Sequence, residues 1–340
     1  MVSLMLAETR STPALVEAAL REDVALYAEL GHALRARRPN FAATVARGSS
    51  DHAAAYASSL FAIAAGCVTA TLSPSLVTRY GARLRLSDAV VLGVSQSGAS
   101  PDLVRVMQAA RAASAMTIAM VNAPTSRLAA EAEWTLPLRA GPEQAVAATK
   151  SFILSLVAIA RLTAAWTEDE ELQTALSSLP DRLDSALGCD WSVGIDLLAT
   201  AAGGFVVSRG PCLAVAQEAA LKLKETSYLH AEAVSAAEIR HGPRAVLDAT
   251  FPVLGIALDD PGGIDTLQFA RELVGGPVLL ASPHGGLAGA VNLKLPAPLH
   301  PLLDPIVATL AFYPFAEALA RARGHDPDHP RGLLKVTETV

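Results

Sequence analysis

The tetrapeptide Val45-Ala-Arg-Gly48 returns as Val207-Ser-Arg-Gly210, and Val91-Leu-Gly93 returns as Val253-Leu-Gly255, both 162 residues further along the chain. Two matches at one offset mark an internal duplication. A chain of 340 residues has room for the same unit twice, each copy the size of an ordinary domain. The copies diverge at one telling position: where the first reads Ser95-Gln-Ser-Gly98, the second reads Ala257-Leu-Asp-Asp260.

Within the first copy, apolar runs alternate with helical stretches. Phe41 to Ala46, Thr69 to Leu72, Ala89 to Val94 and Met116 to Val121 are predicted strands, and Trp134 to Leu138 is a weaker fifth. Strands alternating with helices imply a parallel sheet covered on both faces, an α/β architecture whose ligands sit beyond the carboxyl ends of the strands. An amphipathic helix is expected from Ser11-Thr12-Pro13 to about Gly31, and another from Asp51 or His52 to Ala65. After Gly141-Pro142-Glu143 a long helix is expected over 144–166, then a second over 169–187 that Gly188 ends. The resulting division is an N-terminal helical segment (1–31), a first α/β subdomain (32–168), linking helices (169–201), a second α/β subdomain (202–323) and a C-terminal tail (324–340).

The stretch Ser95-Gln-Ser-Gly-Ala-Ser100-Pro101 follows the apolar run 89–94 and opens a helical pattern through Arg111. Pro101 suits the first helical position, where its missing N–H costs nothing, and Ser100 is then the N-cap. The first-turn N–H groups and the positive end of the helix dipole favour an anion, and a phosphate monoester fits best. The stretch has no Lys and lacks G-x-x-x-x-G-K-[ST] spacing, so it is not a nucleotide P-loop. By itself it also reads as a Ser-rich capped turn that binds nothing. Two carboxylates in the second copy would repel a phosphate, which leaves one such site per chain, in the first half.

The other dense segment is Gln217-Glu-Ala-Ala-Leu-Lys222-Leu-Lys-Glu225-Thr-Ser-Tyr-Leu-His-Ala-Glu232. Glu218, Lys222 and Glu225 are spaced four and three apart and share a helix face. Ser235-Ala-Ala-Glu238 is a capping-box pattern for a short helix that Arg240-His241-Gly242-Pro243 ends, which puts His241 at a turn. A Lys, a carboxylate and an exposed His make an acid/base set. The same spacing also describes a salt-bridged, solvated helix with a capping His.

Charge and composition exclude several classes. A net charge of −6 argues against a general nucleic-acid surface, and the one basic knot, Arg35, Arg37 and Arg38, reads as a solvated helix end. Three scattered cysteines, Cys67, Cys189 and Cys212, form no framework, and no basic-then-apolar leader opens the sequence, so a cytoplasmic protein is expected. The uncharged run 53–78 is broken by Ser, Thr, Gly and Pro and reads as a helix followed by a buried strand rather than a membrane span. His325-Asp-Pro-Asp-His329 lacks a full metal-ligand set, and its prolines suggest an extended, disordered tail.

Together these motifs resemble the sugar isomerase (SIS) domain family, and in particular the isomerase half of glucosamine-6-phosphate synthase. The resemblance rests on Met5-Leu-Ala-Glu8, Arg47-Gly-Ser-Ser50, 95–100, Val146-Ala-Ala-Thr-Lys-Ser151, Ala220-Leu-Lys-Leu-Lys-Glu225, Tyr228-Leu-His-Ala-Glu232, Glu238-Ile-Arg-His-Gly-Pro243 and the tail 326–335. It implies two tandem flavodoxin-like SIS subdomains, each a three-layer αβα sandwich on a parallel sheet. It implies that Ser95, Gln96, Ser97 and Ser100 bind the phosphate of a sugar, with Ser49 and Ser50 in contact. Glu225 matches the base that moves a proton between C1 and C2, and Lys222 a lysine near the enolamine charge. His241 matches the ring-opening residue, donated by the neighbouring subunit of a homodimer. Lys335 matches the lysine that meets the ketose carbonyl, and Val146 a residue of the sugar pocket. The family's Ser before the Thr-Lys pair is Ala148 here, which puts one sugar contact in doubt.

No residues before Met1 to Leu6 match a glutaminase, so the stand-alone deaminases are the expected analogues: glucosamine 6-phosphate and water giving fructose 6-phosphate and ammonia, with no metal or cofactor. A fructosamine 6-phosphate deglycase, another amino-sugar-phosphate isomerase, and a non-catalytic sugar-phosphate sensor are the alternatives.

Overall fold

The computed structural model describes residues 2–273 and 275–335. In chain order the elements are α1 (Leu4–Arg10), α2 (Thr12–Arg21), α3 (Val24–Arg37), β1 (Phe41–Val45), α4 (Ser49–Ala65), β2 (Thr69–Thr71), α5 (Pro74–Thr78), β3 (Ala89–Ser95), α6 (Pro101–Ala112), β4 (Met116–Val121), α7 (Arg127–Glu131) and β5 (Trp134–Pro137). There follow α8 (Lys150–Thr167), α9 (Glu170–Ser177), α10 (Leu179–Leu187), α11 (Ile195–Ala199), β6 (Gly203–Ser208), α12 (Leu213–Ser227), β7 (His230–Ser235), β8 (Val253–Ile256), α13 (Pro261–Glu272), β9 (Val278–Ser282), β10 (Val291–Lys294) and α14 (Asp304–Ala322).

Two parallel five-stranded sheets result, with helices on both sides of each. Their orders are β2-β1-β3-β4-β5 and, read from the other edge, β7-β6-β8-β9-β10. Numbered within its own unit, each is 2-1-3-4-5, the doubly wound flavodoxin-like order. The duplication extends to register: Val45 lies opposite Gly93 on β1 and β3, and Val207 opposite Gly255 on β6 and β8, the same pair moved by the 162-residue repeat. Central strands β3 and β4 are buried along their whole length, which is why they read as unbroken apolar runs.

The chain forms two compact units. One comprises Leu15–Glu143 and Lys150–Ser177, with the last described residues from Leu334; the other comprises Ser178–Leu333, Gln144–Thr149 and the start of the chain to Ala14. By length and composition α8 passes for a membrane span, yet 83% of it is buried, and it packs on α3 and α4 as a core helix.

Several local expectations are corrected. The N-terminal helix is not continuous to Gly31. It breaks at Asp23, which takes a left-handed conformation (φ 57°), because Arg161 captures the terminal carbonyls of Ala19 and Glu22 while Arg139 holds the Asp23 carboxylate at 2.8 and 2.9 Å. The helix expected over 169–187 divides at Ser178, since Pro180 has no N–H to extend α9. The strand β2 is half-exposed to exposed rather than buried, being a sheet edge. The basic knot is not merely solvated: Arg35 donates to the carbonyls of Ala165 and Trp166 at the end of α8, and Arg37 to those of Ser87 and Ser114.

The largest correction lies at 144–149, expected as helix and found irregular. The backbone N–H groups of Gln144 and Ala145 donate to the Glu8 carboxylate, and that of Ser151, which a helix begun at 144 would bond to the Ala147 carbonyl, donates to Glu143 instead; α8 begins only at Lys150.

Candidate active site

In the first copy, β3 ends at Ser95 and α6 begins at Pro101 with Ser100 as its N-cap residue, as the spacing predicts. The Ser95 hydroxyl is buried and accepts from Gly98 N–H at 3.0 Å, while Ser97 Oγ accepts from Ala99 N–H at 3.3 Å. These bonds curl the loop back on itself. Gly98 sits at φ +60°, and a Cβ there would lie 2.1 Å from Ser126 Oγ, so only glycine fits. The Gln96 carbonyl accepts from Asn122 and the Gly98 carbonyl from Leu128, which anchors the loop to the segment after β4. The Ser100 side chain makes no capping hydrogen bond.

Ser49 and Ser50 lie in the first turn of α4, which starts two residues earlier than expected, after Gly48 at φ 56°. Between this turn and the loop stands a residue pair that sequence reasoning missed. Arg47 Nε and Nη2 both donate to Asp102 Oδ2, at 3.1 and 2.8 Å, and Asp102 is 2% exposed. An Asp at the second position of a helix that follows a polar loop was the available signal.

The second copy uses its equivalent helix start differently. Asp260 is the N-cap of α13, its carboxylate accepting from Gly263 N–H at 2.7 Å, so that helix terminus carries its own anion. Burial pushes the Asp260 carboxyl up.

Glu218, Lys222 and Glu225 lie on α12. Lys222 is fully buried, with Nζ 3.3 Å from Glu218 Oε1 and 2.5 Å from Glu225 Oε2. Glu218 is also fully buried and accepts from Tyr313 Oη at 3.4 Å, whereas the Glu225 side chain is 21% exposed. Burial works against the Lys222 ammonium, but the two carboxylates outweigh it and hold its pKa above the ordinary lysine range. The result is a fixed buried cation with one carboxylate beneath it and one reaching solvent. The solvated-helix alternative does not describe this face. Glu218, noted in sequence only for its spacing, is thus part of the set.

His241 is exposed at the end of a single 3-10 turn, Glu238–His241. The predicted capping box is not formed: Ser235 closes β7, and its hydroxyl accepts from Ala237 N–H at 3.3 Å instead. Val146 and Ala148 are both half-buried on the irregular segment, and Val146 N–H donates to the Asp328 carbonyl at 3.4 Å.

The tail expected to be disordered is tied down through Lys335. The Asp328 carboxylate caps α1 by accepting from Leu4 and Met5 N–H, both at 2.8 Å. The His325 ring packs against that of Tyr228 at a tilt of 53°, centroids 4.2 Å apart, and Arg331 N–H donates to Tyr228 Oη at 2.6 Å. Lys335 Nζ donates to Glu143 Oε2 at 2.8 Å. The five residues after Lys335 lie outside the described ones.

The chain is an α/β protein of two flavodoxin-like units, one with a hydroxyl-rich loop at a helix start and the other with a buried Lys beside a partly exposed carboxylate. The chain belongs to the SIS domain family, whose model matches residues 39–165 and 198–314. It is 34% identical over 275 residues to the glutamine–fructose-6-phosphate aminotransferase (isomerizing) of Zymomonas mobilis, covering 76% of this chain and 45% of that protein, and 34% identical over 310 residues to that of Thermococcus kodakarensis, covering 86% and 51%. The chain spans about half the length of these relatives. A Silicibacter pomeroyi structure assigned as a phosphosugar isomerase superposes with a TM-score of 0.91 at 39% identity, covering 96% of this chain and all of that one. The C-terminal domain of glucosamine-fructose-6-phosphate aminotransferase from Francisella tularensis gives 0.87 at 24% identity, covering 97% and 98%, a likeness of fold.

Proposed function

We propose that this chain is a phosphosugar isomerase that acts on amino-sugar phosphates, converting glucosamine 6-phosphate and water into fructose 6-phosphate and ammonia. Ser95, Gln96, Ser97 and Ser100 hold the phosphate monoester, assisted by Ser49 and Ser50. His241, supplied by the neighbouring subunit of a homodimer, opens the sugar ring. The Glu225 carboxylate takes the proton from C2 of the open-chain aldose and returns it at C1. The Lys222 ammonium stabilises the charge on the enolamine between these two transfers. Water then hydrolyses the C2 imine to the ketone, releasing ammonia, with Lys335 at the carbonyl and Val146 and Ala148 lining the sugar.

The observation that carries this reading is the Glu218–Lys222–Glu225 arrangement. A buried cation clamped by one inaccessible carboxylate, with a second carboxylate left partly exposed, is costly to maintain and serves proton transfer better than it serves stability. The 34% identity to isomerising aminotransferases supports an aldose–ketose chemistry over a pure sensor.

The deciding experiment compares ammonia release from glucosamine, galactosamine and fructosamine 6-phosphates. Release from glucosamine 6-phosphate, abolished by Glu225→Gln with fructose 6-phosphate binding retained, is the expected result. Release from fructosamine 6-phosphate alone would make the chain a deglycase. Tight fructose 6-phosphate binding without any turnover would make it a sensor.

A further inference from the structure

Glu143 was noted in sequence only as the end of a Gly-Pro-Glu turn, yet it is among the best-fixed carboxylates in its unit. Its side chain is fully buried directly before α8; Oε1 accepts from Ser151 N–H at 3.0 Å, and Oε2 accepts from Ser151 Oγ at 2.7 Å and from Lys335 Nζ at 2.8 Å. The backbone that carries it is pinned as well. Asn122, just past β4, accepts from Ala140 N–H at 2.9 Å and donates to the Gly141 carbonyl at 2.8 Å. An amide could still cap α8 by accepting from Ser151 N–H through its one oxygen. What a carboxylate adds is charge, at a helix N-terminus that favours it, and the cation set on that charge lies 192 residues away in sequence, its side chain only 24% exposed.

We infer that Glu143 is the positioning residue for Lys335: a rigid buried anion that draws the tail lysine out of solvent and fixes its ammonium where the reaction uses it. The inference rests on the proposed reaction, in which Lys335 meets the sugar carbonyl. Glu143 then acts through Lys335 and touches no substrate. Burial pushes the Glu143 carboxyl up, but Lys335 and the Ser151 donors more than reverse this and hold it below the usual carboxylate range, so the anion persists at neutral pH.

Glu143→Gln keeps the shape, can still accept from Ser151 N–H through its one oxygen, and removes the charge. It is expected to lower kcat for the amino-sugar phosphate about 10- to 100-fold, the usual effect of misplacing a reacting group, with KM nearly unchanged. Adding it to Lys335→Ala should slow that variant no further, because both changes remove one interaction. Glu143→Asp, which retains the charge one methylene short, should recover part of the rate, and it carries the same test if the Gln variant does not fold. A readout independent of turnover is digestion with lysyl endopeptidase, followed by mass spectrometry of the cut after Lys335: wild type should resist, and Glu143→Gln should be cut at least tenfold faster. Wild-type kcat in Glu143→Gln, additive effects of the two substitutions, or equal cleavage of wild type and variant each overturn the inference alone. A wild type that turns over no sugar phosphate overturns it together with the reading it rests on.

Discussion

Arg47 places two N–H groups on a single oxygen of Asp102, and in doing so neutralises the one carboxylate at the start of α6. Without it that buried anion would face any phosphate the helix terminus attracts. The repeat keeps the arginine, as Arg209, but pairs it with an acid further along the helix: Nη1 donates to Asp265 Oδ2 at 2.8 Å, five residues past the cap Asp260, whereas Asp102 stands two past the cap Ser100 and Gly262 two past Asp260. A Cβ at Gly262 would lie 2.6 Å from the Arg209 carbonyl oxygen. Arg47→Met is therefore expected to weaken fructose 6-phosphate binding at least tenfold and to destabilise the fold by about 1–3 kcal/mol, the cost of removing the charged partner of a buried carboxylate. Calorimetric titration and urea melts measure the two effects. Adding Asp102→Asn should restore stability, and unchanged affinity in Arg47→Met would show that Asp102 does not oppose the anion.

Gly98 gives a sharper test of the same loop. Alanine there meets Ser126 Oγ at 2.1 Å and must also hold a positive φ, so the turn has to open. Ser126 is itself engaged as the cap of α7 and cannot readily swing aside. Gly98→Ala is expected to lose phosphosugar binding by more than tenfold while the circular dichroism of the fold is retained. An alanine variant that binds normally would remove the curled loop from the site.

The architecture was legible because its causes are local. Strands buried on both faces must be continuous apolar runs, so β1, β3 and β4 stood out within a residue of their ends, and a duplicated register leaves a duplicated sequence. The helix break at Pro180 was equally readable and was passed over. What the sequence hid is long-range. The segment 144–149 has helical composition, yet its first two N–H groups are held by Glu8, a residue more than a hundred positions earlier in the chain. Asp328 looks like a loop residue until it caps α1 from 324 residues away. For the site, the hydroxyl loop and the α12 face were visible as spacing, whereas the burial that makes Lys222 a fixed cation, and the partners Asp102 and Glu143, appear only once the chain is folded.

Lys222 tests how strongly α12 depends on its internal charges. Lys222→Met leaves the Glu218 carboxylate fully buried beside an apolar chain, a change expected to cost about 3–5 kcal/mol. Pairing it with Glu218→Gln removes the buried negative charge, so the double variant should regain most of that loss. Denaturant melts of the two singles and the double form a cycle that isolates the coupling. Additive losses would mean that Tyr313, 3.4 Å from Glu218, or other groups satisfy the carboxylate without the lysine.

Acid sensitivity separates two opposite effects on Glu143. Burial alone would raise its pKa, and stability would then increase on acidification. Lys335 and Ser151 lower it instead, beneath its ordinary 4.5. A carboxyl with a depressed folded pKa contributes stability that is complete above the unfolded value and lost as pH falls through the folded one. The contribution of Glu143 should thus be constant from pH 7 to about 5 and decline below about 4.5. Other carboxyls titrate in the same range, some shifted down as in Asp23 and some up as in Asp51 and Asp304, so the absolute melting curve does not isolate it. The difference in Tm between wild type and Glu143→Gln does: it should favour wild type at neutral pH and shrink on acidification through this window. A difference that grows toward low pH would mean the ion pair does not outweigh burial.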